Sequence, residues 1–164
     1  MLPAPLVFGI SVAFGFLAWA IVATLYIWPA LQTRSRVEAL RPLLVLHAFR
    51  FEGLSFLVSG VVSPDLPVAF ARDATYGDLV AAILALLALA SLRSVWGVPF
   101  VWLFNIWGSF DLLNAFYQAN NAGLVPGQLG ATFFIPTFIV PLLLITHGLV
   151  FAILLRRQSI RALA

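Results

Sequence analysis

The chain has 164 residues, of which 63% are hydrophobic and 9% charged, whereas a soluble domain carries about 25% charged residues. That composition, with a mean hydropathy of +1.07, excludes a water-soluble globular fold. The net charge of +3 comes from arginines scattered at predicted helix ends rather than gathered on one face, which argues against a nucleic-acid partner, and the lack of cysteine excludes disulfides and thiolate metal sites.

Charged residues are absent from 1–33, 79–92, 94–110 and 112–155. Runs of this kind match the bilayer core, which about 20 apolar residues cross as a helix. The first predicted helix covers about 5–31 and ends in Tyr26 and Trp28-Pro29, aromatic residues at interface depth followed by a proline. It lacks a basic n-region and is too long for a signal h-region, so it is read as a retained span. Arg34, Arg36 and Arg41 follow, beside Glu38.

The second predicted helix covers about 43–63 and is stopped by Ser63-Pro64. Pro64 and Pro67 then argue for an irregular loop holding Asp65, Arg72, Asp73 and Asp78. The third helix covers about 76–95, with Arg93 near its end. The fourth starts near Pro99 and runs to about 119, and the fifth covers about 133–155, before Arg156, Arg157 and Arg161.

Arginine placement tests the count of five spans. The segments after helices 1, 3 and 5 hold three, one and three arginines, while the two opposite loops hold one arginine beside three aspartates. Cytoplasmic loops are enriched in Lys and Arg, so the expected topology has the N-terminus outside and the C-terminus in the cytoplasm. The expected fold is all-α: one polytopic domain over 1–164, a compact bundle of five transmembrane helices, in the cell membrane of a prokaryote. No repeat suggests an inverted-repeat transporter. Ala81, Ala85 and Ala88, and Ser11 with Gly15, have the small-xxx-small spacing of close helix packing.

Polar residues within the spans are the candidate site. On the second helix Glu52, Ser55, Ser59 and Ser63 form one stripe if the helix is α. Arg50 shares another face with His47, where it either snorkels toward the headgroups or joins a polar core. On the fourth helix Trp107, Asp111, Asn114 and Gln118 form a stripe, and Asn105 precedes it. On the fifth, Pro136 and Pro141 disturb the backbone and expose the carbonyl of Thr137, while Thr146 and His147 follow. At ~1.5 Å per residue, Glu52, Asp111, Asn105 and His147 lie about 14, 18, 9 and 12 Å from the cytoplasmic end, depths that overlap. An unpaired charge at such depth costs at least ~2.5–3.5 kcal/mol, so these residues are expected to be paired, protonated or wet.

The candidate ligand-binding set is Arg50, Glu52, Asn105, Trp107, Asp111, Asn114 and His147, with aromatic walls from Trp102, Trp107 and Phe116. No phosphate loop, nucleophile elbow or metal-ligand spacing such as Glu-x-x-His occurs, and no cofactor is identified. The leading expectation is a membrane protein that binds or passes a small amphipathic molecule or protons. The rivals are an intramembrane enzyme using carboxylate acid–base chemistry on a lipid or isoprenoid, and an accessory subunit meeting a membrane partner or a second copy of itself.

Overall fold

The computed structural model describes residues 2–156; Arg157 and Arg161 of the basic tail lie outside them. Among the described residues the chain is helical and has no β-strand. Helix α1, Ala4–Gln32, begins with Pro5 in its first turn, where the missing N–H costs no hydrogen bond, and passes through a wide π turn at Ala23–Ile27 without ending.

A capping box starts α2, Arg36–Ala48. The Ser35 side chain accepts from the Glu38 backbone N–H, while the Ser35 hydroxyl and backbone N–H donate to the Glu38 carboxylate. Those hydrogen bonds hold the exposed Glu38 carboxyl below its ordinary pKa, helped by Arg34 and Arg41. The helix therefore starts seven residues before the predicted 43, and it also ends earlier. From Phe49 to Leu57 the chain winds into a 3-10 helix. A 3-10 helix repeats every three residues, so Arg50, Gly53 and Phe56 fall on one buried face. The expected Glu52–Ser55–Ser59–Ser63 stripe assumed an α-helical period over a stretch that does not keep it.

Helix α3, Val68–Ser91, starts eight residues before the predicted 76, with Pro67 as its N-cap. Helix α4 spans Gly97–Asn121, and a 3-10 segment, Pro126–Phe133, leads to α5, Ile135–Leu155. Three of these helices, α1, α3 and α5, are long and apolar enough to cross a membrane. Helix α4 matches them in length at 25 residues but carries the amides and the carboxylate of the predicted site.

The two larger apolar cores sit one above the other. Leu40, Leu44, Ala85, Phe104, Val150 and Ile153 form one, and Phe56, Leu66, Phe70, Ala74 and Leu129 the other; Leu112, Val140 and Leu143 form a small third. At the first end, Arg156 donates to the carbonyls of Gln32 and Arg34, and Arg36 donates to that of Arg156, so arginines satisfy carbonyls that a helix end leaves free. At the other end, Ala131 N–H donates to Val61, Ser63 N–H to Gln128, and the Gln128 amide to Asp65, lacing two loops together. Gly130 takes a φ of 55° there, and a Cβ on it would strike the Val61 carbonyl.

Helix α1 has no buried residue between Ala4 and Val22; over that stretch it leans mainly on α5, with Phe8 edge-on to Phe133 of the preceding 3-10 segment. Its seat is the π turn Ile135–Ile139, where Pro141 supplies no N–H to the Thr137 carbonyl. Gly15 lies against that carbonyl so closely that a Cβ would overlap it, and the Trp19 indole N–H donates to Phe138 O at 3.0 Å. Gly15→Leu is expected to lower stability in detergent by about 1–3 kcal/mol through overpacking. Gly9→Leu, where a Cβ meets nothing within 4 Å, should leave thermal unfolding unchanged; equal effects of the two changes would rule out this seat for α1.

Candidate functional site

Between the two apolar cores lies the polar cluster, and its centre is Arg50, whose side chain is 0% accessible. The 3-10 turn that aligns Arg50 with Gly53 and Phe56 aims the guanidinium into the bundle, so the snorkelling alternative does not hold. Nε–H donates to Asp78 Oδ1 at 2.7 Å and Nη2 to Asp111 Oδ2 at 2.6 Å. Nη1 donates to the Gly108 carbonyl at 3.1 Å and, at 3.4 Å, to His147 Nε2. Arginine has five N–H groups in a fixed planar fork, and these contacts use four of them on α3, α4 and α5.

Glycines make the room. A Cβ on Gly53 would overlap the Asp78 carboxylate, one on Gly77 the Asp111 carboxylate, and one on Gly108 the His147 ring and Arg50 Nη1. Two further bonds seat the segments: Thr75 Oγ1 donates to the Gly53 carbonyl at 2.8 Å, and the Trp107 indole N–H to the Gly77 carbonyl at 3.4 Å.

The hydrogen bonds assign the histidine tautomers. Asn105 Nδ2 donates to the His147 carbonyl at 3.2 Å, which orients its amide so that Oδ1 accepts from His147 Nδ1–H at 2.7 Å. His147 Nε2 then carries the lone pair that faces Arg50. His47 packs against the His147 ring with centroids 4.1 Å apart. The Thr146 hydroxyl donates to backbone carbonyls of α5, so at 3.0 Å it accepts from His47 Nε2–H. His47 Nδ1 is left as a buried acceptor without a partner among the described residues. Both rings are neutral in this arrangement.

Above the cluster a cavity of about 370 Å³ extends toward the laced loops. Its walls are apolar, among them Phe8, Phe56, Phe70, Phe116, Leu129 and Val140, and Asp78 and Asp111 are the ionisable groups that line it. Each carboxylate is 12% accessible. A second cavity of about 230 Å³ lies between the Phe49–Leu57 segment and α5, shares Asp78 with the first, and has the exposed Phe49 and Glu52 among its lining.

Of the seven residues expected from sequence, Arg50, Asn105, Asp111 and His147 meet in this cluster. The other three stand apart. Glu52 is exposed and has no ion pair among the described residues; the buried face of its 3-10 segment carries Arg50, Gly53 and Phe56 instead. Asn114 is half-buried beside Asp111 at a small recess with Gln118, and Trp107 braces α4 on α3. Of the expected aromatic walls, Phe116 lines the cavity, whereas Trp102 packs on Phe151. Asp78 was missed: read as loop, it sits nearly half-way along α3, and a helix start at Pro67 was the signal that places it. Among the described residues no three His, Asp or Glu side chains gather as metal ligands would.

Removing one partner of a buried ion pair strands the other, at about 3–5 kcal/mol. Arg50→Leu is therefore expected to lower stability in detergent by that amount. Arg50→Lys should not restore it, because a point charge cannot reach two carboxylates, a carbonyl and an imidazole at once. Thermal unfolding of the two variants checks this; a wild-type midpoint in Arg50→Leu would exclude the guanidinium as the organising group.

No curated protein and no solved structure matches the chain. One family model does: residues 7–155 match the family described as a domain of unknown function, DUF8737, and the chain belongs to that family.

Proposed function

We propose that this protein is a multi-pass protein of a prokaryotic cytoplasmic membrane that binds a small amphipathic molecule in its outer cavity. The observation that carries the reading is the pairing of about 370 Å³ of apolar space with two inward carboxylates at one end of it. Ligand sites are typically concave, mostly apolar and supplied with a few convergent polar groups. A buried ion pair contributes little net stability compared with apolar packing of the same volume, so a purely structural role explains the cluster poorly.

Five crossings, N-terminus outside and C-terminus cytoplasmic, complete the reading. Helix α2 and the 3-10 segment after it have 13 and nine residues, a contour of about 37 Å at ~1.5 and ~2.0 Å per residue, enough for the hydrocarbon core. Arg34, Arg36 and Arg156 meet at one end of the bundle, as cytoplasmic loops would. The second cavity, with Glu52 among its lining, then opens toward lipid and gives an amphiphile a lateral way in. An intramembrane enzyme acting on a lipid or isoprenoid would use the same lateral opening, with Asp78 and Asp111 exchanging protons with substrate.

The chain has no cysteine, so single-cysteine variants report topology without background. Arg34→Cys should react with an impermeant maleimide only after the membrane is opened, and Gly127→Cys should react in intact cells. The opposite pattern overturns the orientation, and labelling of both from one side overturns the five crossings. Native mass spectrometry of gently purified protein should show one defined small molecule retained by the wild type and lost in Ala115→Trp, which fills the cavity from α4. Retention by both would place the ligand elsewhere, and turnover of the retained molecule would favour the enzyme.

A further inference from the structure

The proposed outer-cavity ligand has a charge that the cluster's own composition specifies, an inference that rests on the binding reading above. Three ionisable side chains and two imidazoles meet there, drawn from the 3-10 segment, α2, α3, α4 and α5. Arg50 contributes one positive charge, and Asp78 and Asp111 each present a carboxylate to it. The histidines add none. His147 donates through Nδ1 to Asn105 and accepts at Nε2 from Arg50, and His47 donates through Nε2 to Thr146 and has no acceptor at Nδ1. No second cation balances the two acids among the described residues.

Each carboxylate gives one oxygen to the guanidinium, Asp78 through Oδ1 and Asp111 through Oδ2. Their other oxygens, Asp78 Oδ2 and Asp111 Oδ1, accept no hydrogen bond from the described residues, and both side chains line the apolar cavity. The excess negative charge therefore borders the space proposed for a ligand. Around it stand the rings of Phe8, Phe56, Phe70 and Phe116, and aromatic faces attract alkylated ammonium groups as well as apolar bodies. An anionic or zwitterionic headgroup would meet like charge at Asp78 and Asp111, the ionisable groups of the cavity's lining, and a bare inorganic ion would lose its water to phenylalanine.

We propose that the cavity takes a monovalent organic cation, an amine or quaternary ammonium with a hydrophobic body, whose charged group completes the neutralisation of Asp78 and Asp111 beside Arg50.

The probes are benzyltrimethylammonium, whose charge is fixed, its uncharged carbon isostere neopentylbenzene, and phenylmethanesulfonate as the anion. Binding is measured by calorimetry on the full-length protein in zwitterionic nanodiscs, with empty nanodiscs subtracted. The wild type is expected to bind the cation at least about tenfold more tightly than the isostere, and not to bind the anion. In Asp111→Asn, which keeps the Arg50–Asp78 pair and leaves an amide oxygen to accept from Nη2, the preference should collapse to near parity, and Asp111→Glu should restore part of it. Asp78→Asn is the second variant, should the first fail to fold. Equal binding of cation and isostere by the wild type, or tighter binding of the anion, would overturn the cation assignment while leaving the cavity a binding site; so would a preference that persists in both variants. If none of the three binds, the binding reading falls together with the charge assignment.

Discussion

A guanidinium with no accessible surface, held at mid-height in a hydrophobic bundle, is the constraint to which the rest of this structure answers. Arginine stays protonated under any condition the protein meets, so Arg50 cannot escape its burial by losing charge. Counter-charge and hydrogen-bond acceptors have to come to it. The planar fork fixes where: one carboxylate at Nε, one at Nη2, a carbonyl and an imidazole at Nη1. Those positions belong to three different helices, and helices at ordinary separation could not all reach one group. Gly53, Gly77 and Gly108 reduce the separation by a side chain's thickness where a carboxylate or ring must fit.

The same demand reaches outward from the guanidinium. Because His147 must offer Arg50 a lone pair, its other nitrogen must donate, and Asn105 both accepts that proton and anchors itself on the His147 carbonyl. His47 then lies against the His147 ring and is positioned by Thr146. The polar layer is thus one connected network, with apolar packing above and below it, and the two carboxylates that flank Arg50 line the cavity.

Much of this was legible in the sequence, for reasons that also explain the rest. Long apolar runs without charge mark α1 and α5 because lipid admits little else, and the amide-and-acid pattern Asn105–Asp111 survives on α4 because that helix keeps its regular period throughout. Asn105, Asp111 and His147 could therefore be assigned to overlapping depths from spacing alone, while Arg50 stayed open between snorkelling and a polar core. Glu52 could not be placed correctly: its serine stripe reads as the inward face when an α-helical period is carried on to Ser63, whereas the segment winds as 3-10 and buries Arg50, Gly53 and Phe56, and nothing in the local composition of Phe49–Leu57 distinguishes the two windings. Asp78 was hidden by its neighbours. Pro64, Pro67, Arg72 and Asp73 read as loop, yet a proline at a helix start is favourable and the charged pair occupies exposed positions on the first turns of α3. Local composition describes exposure well at a membrane surface and describes winding poorly.

The glycine seats have a consequence for how such a chain can diverge. Gly53, Gly77 and Gly108 each face a charged or aromatic nitrogen-bearing side chain, and Arg50, Asp78 and Asp111 each lean on the others. A side chain gained at one of the glycines collides with a polar neighbour, and loss of the arginine strands two carboxylates together. Membrane bundles have only a few kcal/mol of stability to lose, so single steps away from this arrangement pass through poorly folded intermediates. The six positions are therefore expected to change together, a lineage that gave up the guanidinium having to exchange its acids and refill its glycines in company with it.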